Sequence, residues 1–500
     1  MIRAALFAAL LACLPGLAGA QTLRIGLRED PDILDPTLAR TYVGRIVFAG
    51  LCDKLFDIDA GLKIVPMLAT GYEWADPVTL VIHLRGDVSF QDGTKLDADA
   101  VKYSLMRHLT MQGSFRRSEI NTIDHVDVVD PDTVRIVLKS PSSPFLSQLT
   151  DRAGMIVSPK AAEASGKDFG LHPVCAGPFA FTERVANDHI TAERFPGYWN
   201  AAAIHFDKVT WQTIVDPSVR VANLRAGALD LVESIVPSDV DQVKADKNLR
   251  IMTTDALGYQ GITVNGANGP RANTPFGRDV RVRQAFELSL DRDAIIQVVY
   301  NGMFTPTVQA VPPLSPFYAP AIKPPARDVE RAKALLKEAG VATPVKVEML
   351  TANNGDIRQM GEVIQSMAAE AGFDVHLTNV EFASSLDQAT RGDFELHLEA
   401  WSGRPDADGN LYTFLHTGGA ANDGHYSNAD VDSLLDQARA VSDVAQRRDL
   451  YTKMWTTLRR DLPIIYLYTP RVIEGMSAKL AGFTPVPDGL IRLTGVSLQK

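Results

Sequence analysis

Asp328-Val-Glu-Arg-Ala-Lys-Ala-Leu-Leu-Lys-Glu-Ala-Gly340 opens the stretch whose reading decides the fold class. Asp328 is an N-cap residue, apolar positions recur at helical spacing from Val329 to Ala339, and Gly340 supplies a left-handed stop. Val345 to Leu350 then reads as a strand, Arg358 to Ala371 as a helix closed by Gly372, and Asp374 to Thr378 as a second strand. Alternation of helix and strand over fifty residues predicts an α/β domain.

Working outward toward the C-terminus, Asp393 to Trp401 alternates apolar and polar residues like a strand. Gly403, Pro405 and Gly409 then break the run Glu399-Ala-Trp-Ser-Gly-Arg-Pro-Asp-Ala-Asp-Gly-Asn410 into turns. Binding groups are often presented where a strand ends in this way, so Trp401 through Asp408 is expected to face a ligand, an ordinary surface turn being the alternative. Asn428 to Val441 and Asp443 to Arg460 read as helices, and Pro463 to Tyr468 as a short apolar strand. Upstream, Val280 to Tyr300 is a helix pair interrupted at Leu290-Asp-Arg-Asp293, and Ala256 to Asn265 joins glycines to a strand, as suits a crossing between domains.

Nearer the N-terminus, Leu23 to Leu27 is a strand and Thr41 to Phe56 has apolar residues at helical spacing. Asp92-Gly93 marks a turn, Asp97 caps a helix running through Val101, Leu105 and His108, and two β-rich runs flank Asp130-Pro-Asp132. These elements form an α+β module of about a hundred residues.

Five hundred residues, 46% apolar and 22% charged, require more than one hydrophobic core. Met1-Ile-Arg3, the apolar run Ala4 to Leu14, and Ala18-Gly-Ala20 have the layout of a cleavable secretory signal over residues 1–20, which places the mature protein in the periplasm. Leu10-Leu-Ala-Cys13 also fits a lipoprotein box, but cleavage there would cut through the apolar run. The formal charge of −10 becomes one unit more negative without the leader, whose only charged residue is Arg3. A mildly acidic chain argues against general binding to nucleic acid or anionic membranes. Cys52 and Cys175 are the two cysteines beyond the leader, an even pair suited to a disulfide in an oxidising compartment. Such a bridge would contribute roughly 4 to 5 kcal/mol on the chain-entropy model; two buried free thiols are the alternative.

Catalytic motifs are missing: there is no His-Glu-x-x-His, no Gly-x-Ser-x-Gly and no phosphate loop, so no catalytic residue is assigned and an enzyme is not expected. Asp406-Ala-Asp-Gly-Asn410 mimics a calcium loop, but the frame that sets Gly409 at the sixth position puts Arg404 and Leu415 where carboxylates are needed. His416 and His425 lack metal-site spacing, and neither metal nor cofactor is expected.

Several ordered motifs carry a more specific signal. They are Phe90-Gln-Asp-Gly-Thr94 ahead of the helix Asp97 to Ser104, His172-Pro-Val-Cys-Ala-Gly-Pro-Phe179, Phe195-Pro-Gly-Tyr-Trp-Asn200 and Leu224-Arg-Ala-Gly-Ala-Leu-Asp230. Val280 to Ala285 with Leu290-Asp-Arg292, Arg331 to Gly340, Tyr426 to Leu435 and Pro463 to Leu467 complete the set. In this order they resemble the extracellular solute-binding proteins, family 5, of bacterial ABC importers for dipeptides, oligopeptides and nickel chelates. The resemblance implies an α/β, two-lobed periplasmic-binding-protein clamshell, the large type II variant with an inserted α+β subdomain. Lobe one would comprise residues 21–45, 170–260 and 470–500, the inserted module 46–169, and lobe two 261–469, joined by hinge strands near Tyr259 and Tyr468. The partners implied are a peptide or peptide-like solute and an inner-membrane permease, met by a monomer. Carriage of nickel or another metal chelate, or an exported hydrolase on a similar scaffold, are the alternatives.

Within the cleft, peptide binders of this family resemble the chain at Trp401-Ser-Gly403, but an aspartate that pairs with a peptide amine usually follows where this chain has Arg404. That reversal favours a carboxylate or phosphate on the solute. Asp406 is the candidate for the amine role; if Arg404 pairs with Asp406 or Asp408, the segment is structural. Arginines in nickel-chelate binders suggest Arg117 and Arg152 as carboxylate ligands, with Arg116 read as surface. Tyr259 and Trp401 are candidates for stacking on the solute, core packing being the alternative for each.

Overall fold

Two large mixed sheets organise the chain, each with its own core. The computed structural model describes residues 21–499, so the expected signal sequence and Cys13 lie outside the described residues. The first sheet has the order Leu249–Asp255, Arg471–Ser477, Leu231–Val232, Thr22–Leu27, Lys208–Thr213, His189–Arg194 and Phe179–Val185. The second runs Thr305–Pro306, Ile464–Thr469, Tyr259–Val264, Leu396–Trp401, Val345–Ala352 and Phe373–Val380. A four-stranded antiparallel sheet, Ala69–Asp76, Thr79–Leu84, Thr133–Leu138 and Ile123–Asp130, carries a third core with the helix Ala98–Thr110. The architecture is two-lobed α/β.

The stretch from Asp328 forms as its local chemistry dictates. Asp328 accepts a hydrogen bond from the Arg331 amide, and Gly340 ends the helix Val329–Ala339 in the left-handed conformation. Val345–Ala352 pairs in parallel with Phe373–Val380, and the intervening helix, Gly355–Glu370, starts three residues before Arg358. Its first turn contains Gly355 and Asp356, too short and polar a lead-in to show in the apolar period. Val345–Ala352 is largely buried, while Phe373–Val380, at the sheet edge, keeps His376, Thr378 and Asn379 exposed.

Helical spacing from Thr41 to Phe56 is realised only over Tyr42–Leu51. Cys52 leaves the helix in extended conformation and is bridged to Cys175, with an S–S distance of 2.03 Å, and Phe56–Ile58 is already a strand. The helix packs whole on the first core, across the boundary expected between residues 45 and 46. Both cysteines lie in the first core, so the disulfide ties together the segments by which the chain enters and leaves the four-stranded module.

The chain crosses between the lobes twice. Leu249–Asp255 of the first sheet leads through Ala256-Leu-Gly258 into the fully buried Tyr259–Val264 of the second, and Ile464–Thr469 returns through Pro470 to Arg471–Ser477. The two crossings touch, the Ala256 amide donating to the Pro470 carbonyl at 3.1 Å. Gly258 and Gly403 permit this packing: a Cβ on Gly258 would lie 1.7 Å from the Trp401 carbonyl oxygen, and one on Gly403, at φ +80°, 2.2 Å from the Leu257 backbone. Trp401 and its following turn are thereby set directly against the crossing.

Candidate functional site

A cavity of about 250 Å³ lies between the lobes, with Arg28, Glu29, Tyr42 and Glu233 on one wall and Tyr300, Glu399, Trp401 and Tyr468 on the other. A second of about 150 Å³ adjoins it, sharing Tyr42, Glu399, Trp401 and Ser402, and is lined further by Arg40, Arg116, Arg152, Arg404 and Arg439. Together they form one cleft that narrows at Trp401.

Strand alternation places His397, Glu399 and Trp401 on the cleft face of Leu396–Trp401, while Leu396 and Leu398 enter the core of the second lobe. Trp401 is half-buried; its indole N–H donates to Asn410 Oδ1 at 2.9 Å and its ring meets Phe414 edge to face. Tyr259, in register with Trp401, lines the larger cavity with little surface because its ring is packed against Tyr466 and Phe414. Burial holds its hydroxyl well above the ordinary tyrosine range.

Arg404 pairs with neither of its neighbours in sequence. Its Nε lies 2.9 Å from Oδ2 of Asp151, a buried residue on the other side of the cleft, and its guanidinium covers the Trp401 ring at 4.5 Å. Asp151 also pairs with Arg45 at 2.9 Å and accepts from the Arg152 amide at 2.7 Å. The Arg404 and Arg45 contacts to Asp151 Oδ2 are charge pairing without hydrogen-bond alignment, whereas Oδ1 accepts from the Arg152 amide and from Arg45 Nε at 3.2 Å. Arg45 reaches across as well, donating to Ser402 Oγ at 3.2 Å.

Asp406 is held in a bidentate pair by Arg447, at 2.6 and 2.8 Å, and lines neither cavity; the second lobe uses it as a strut. Asp408 is held likewise by Arg439, at 2.7 and 2.8 Å. Arg117 is exposed and spends its donors on the carbonyls of Leu109, Thr110 and Met111, closing the helix Ala98–Thr110. Its neighbour Arg116, read from the sequence as surface, is instead 3% exposed and lines the smaller cavity. Arg152 is also buried there, donating to the Ala39 carbonyl at 2.7 Å and leaving its Nε without a partner.

The result is a buried surplus of positive charge. Arg45, Arg116, Arg152 and Arg404 face Asp151 and Glu119, four guanidiniums against two carboxylates. Burial pushes Arg404 down to about 10, against the opposing pull of Asp151, and Arg152 is driven well below its usual value by burial and by Arg116. Asp151, despite its burial, is held well below the carboxylate range by Arg404, Arg45 and Arg152. An anion entering here would replace missing negative charge.

At the other end the balance is acidic. Glu233 accepts from the Arg28 amide at 3.0 Å, with Arg28 Nε 3.6 Å away, while burial lifts Glu29 to about 7. Arg28 keeps 38% of its side chain accessible, but that surface opens into the cleft. Reasoning from sequence missed Arg45, Asp151, Arg28 and Glu399. Arg45 had a legible sign, a charge inside the apolar helix Tyr42–Leu51; Asp151 had none, because two of its partners, Arg45 and Arg404, come from distant parts of the chain.

Comparison with known proteins now bears on this cleft. The sequence model of the bacterial extracellular solute-binding proteins, family 5, middle region, matches residues 63–422. The chain belongs to this family. Among its relatives are the glutathione-binding proteins GsiB of Pectobacterium atrosepticum, 29% identical over 93% of this chain and 92% of that one, and of Salmonella paratyphi A, 29% identical over 96% and 94%. The periplasmic binding protein DppA of Helicobacter pylori, solved with the peptide STSA, superposes with a TM-score of 0.88 at 25% identity, covering 96% of this chain and 98% of that one. AgaA of A. tumefaciens R10, solved with agropinic acid, gives 0.87 at 27% identity over 96% and 99%. Family 5 proteins are solute-binding components of ABC importers, and these relatives are binding proteins by name rather than enzymes. Among the described residues no helix is long and apolar enough to cross a membrane, and no three histidine, cysteine or carboxylate side chains gather as a metal site.

Proposed function

We propose that the protein is a periplasmic receptor that captures a peptide-like solute bearing at least one anionic group and delivers it to an ABC permease when the lobes close. The observation that carries this reading is the arginine surplus at one end of the cleft, where Arg116, Arg152 and Arg404 line the smaller cavity. A carboxylate suits them because a guanidinium offers a planar fork and remains charged when desolvated. The GsiB relatives are named for glutathione, a tripeptide with two carboxylates, and AgaA was solved with an acid; both agree in charge with the cleft. Trp401 supplies the aromatic wall, and the crossings at Ala256–Gly258 and Pro470 supply the hinge.

Isothermal titration tests the reading with protein unfolded and refolded to strip any carried solute. Reduced glutathione, Ala-Asp and Gly-Glu are titrated beside the dibasic Lys-Lys. Tighter binding of acidic members supports the proposal, and a preference for Lys-Lys overturns it.

A further inference from the structure

Glu399 stands at the junction of the two cavities, and its charge has no cationic partner. Of the other carboxylates that line the cavities, Glu119, Glu233 and Asp408 are matched to Arg116, Arg28 and Arg439, whereas Glu29, Asp356 and Asp423 have no ion pair among the described residues but lie away from the strand position shared by both cavities. No arginine or lysine nitrogen among the described residues lies within 4.0 Å of Glu399. One oxygen, Oε1, accepts from the Thr263 hydroxyl at 2.5 Å, which fixes the carboxylate against the neighbouring strand. The other, Oε2, has only His397 Nδ1 at 3.5 Å. His397 is 1% exposed, lines the larger cavity, and its Nδ1 has no hydrogen-bond partner. Burial pushes this imidazole down to about 4, so it is neutral and offers Glu399 no charge.

Of the remaining groups that face Glu399, one adds like charge and one, Arg40, exerts an opposing pull from a distance without pairing with it. Asp423, from the loop after the helix Asp408–Leu415, lines the smaller cavity and adds like charge. Arg40, from the segment before the helix Tyr42–Leu51, stacks on Phe115 at 4.6 Å and turns to the exposed Asp387 at 3.4 Å. A desolvated carboxylate without a counter-ion is costly, and in a ligand cleft either a proton or a bound cation relieves that cost. Asp406, the expected holder of an amine, is fully engaged by Arg447.

We propose that Glu399 is the ammonium-binding group of the cleft, so that the solute is a zwitterion with its amine on Glu399 and a carboxylate among the arginines. Smaller and larger cavities meet at this residue, so both ends of one compact solute fall within reach. The inference rests on the anionic, peptide-like reading of the cleft and adds a second charge to it.

The test uses matched pairs of probes with the full mature chain: glutathione and N-acetyl-glutathione, Ala-Asp and N-acetyl-Ala-Asp. In the wild type the free amines are expected to bind at least tenfold tighter than their acetylated partners. In Glu399→Gln that ratio falls to within twofold while affinity for the acetylated forms is kept; in Asp423→Asn the ratio survives. Equal binding of both members by the wild type overturns the role of Glu399 and leaves the anionic reading standing. Collapse of the ratio in Asp423→Asn but not in Glu399→Gln moves the amine to Asp423 and also overturns the assignment. Binding of neither member of either pair removes the peptide-like reading and this inference with it. Should Glu399→Gln fail to fold, Glu399→Asp, which keeps the charge and withdraws it by one methylene, must lower the ratio without abolishing it; an unchanged ratio overturns the proposal.

Discussion

Neutralising Asp151 should hold the cleft open. Asp151→Asn keeps the shape of the side chain and removes the charge that Arg404 meets at 2.9 Å across the cleft and Arg45 meets at 2.9 Å on the same side. Removing one partner of a buried ion pair costs about 3–5 kcal/mol, because the remaining charge stays desolvated. The share that opposes closure is the part borne across the cleft by Arg404, since Arg45 and Arg152 travel with Asp151. Taking that share as roughly half, about 2 kcal/mol, closure and hence apparent affinity should fall by about thirtyfold. Titration calorimetry with the tightest-binding acidic peptide measures the affinity, and small-angle scattering measures the separation of the lobes with and without it. Arg404→Met in the Asp151→Asn background removes the charge left facing Arg45, so the second substitution should cost far less than it does in the wild type. A cycle that is additive within about 0.5 kcal/mol would show that the two residues do not act across the cleft and would refute the reasoning.

Four further outcomes follow from the same physics. Burial lifts Glu399 to about 7 and Asp423 to about 6 while His397 stays neutral, so a free-amine solute should gain affinity relative to its acetylated analogue as pH rises from 5.5 to 7.5. Replacing Cys52 and Cys175 by alanine opens a loop with a sequence separation of 123 and should cost about 5 kcal/mol on the chain-entropy model, read by chemical denaturation. His108 is buried with Nε2 donating to the Met155 carbonyl and Nδ1 accepting from Thr37, and is pushed down to about 4. Its unfolded form protonates near 6.5, so stability is present above that pH and falls by about 3 kcal/mol toward pH 4, a slope that His108→Gln should flatten. Arg117→Ala should leave solute affinity within twofold by calorimetry, because its donors close a helix end outside both cavities.

Much of the framework was legible because it is set locally. The caps read at Asp97 and Asp328 act through hydrogen bonds three residues long, and they place their helices almost to the residue. Helix and strand periods near Gly340 gave the α/β lobe for the same reason. The cleft was legible in part. Trp401 announced itself as an aromatic at a broken strand, but the partner of Arg404 lies at position 151, and no local pattern reports a contact over such a distance. Arg116 and Arg117 are adjacent and chemically identical in sequence; which one enters the protein depends on how the short helix Arg117–Ile120 turns. Tyr259 shows the opposite error, an aromatic near the crossing whose ring the second lobe keeps for itself.

The disulfide between Cys52 and Cys175 has a consequence for the order of capture. It ties the chain's entry into the four-stranded module to its exit within the first core, so Arg116 and Arg152 form a stationary electropositive wall, while Trp401, Arg404 and Glu399 ride on the body that swings. On the proposed reading an arriving solute is steered carboxylate-first onto the fixed wall, and its amine is engaged only as the second lobe arrives. Encounter is then the step that added salt slows, whereas release is governed by the grip on the amine.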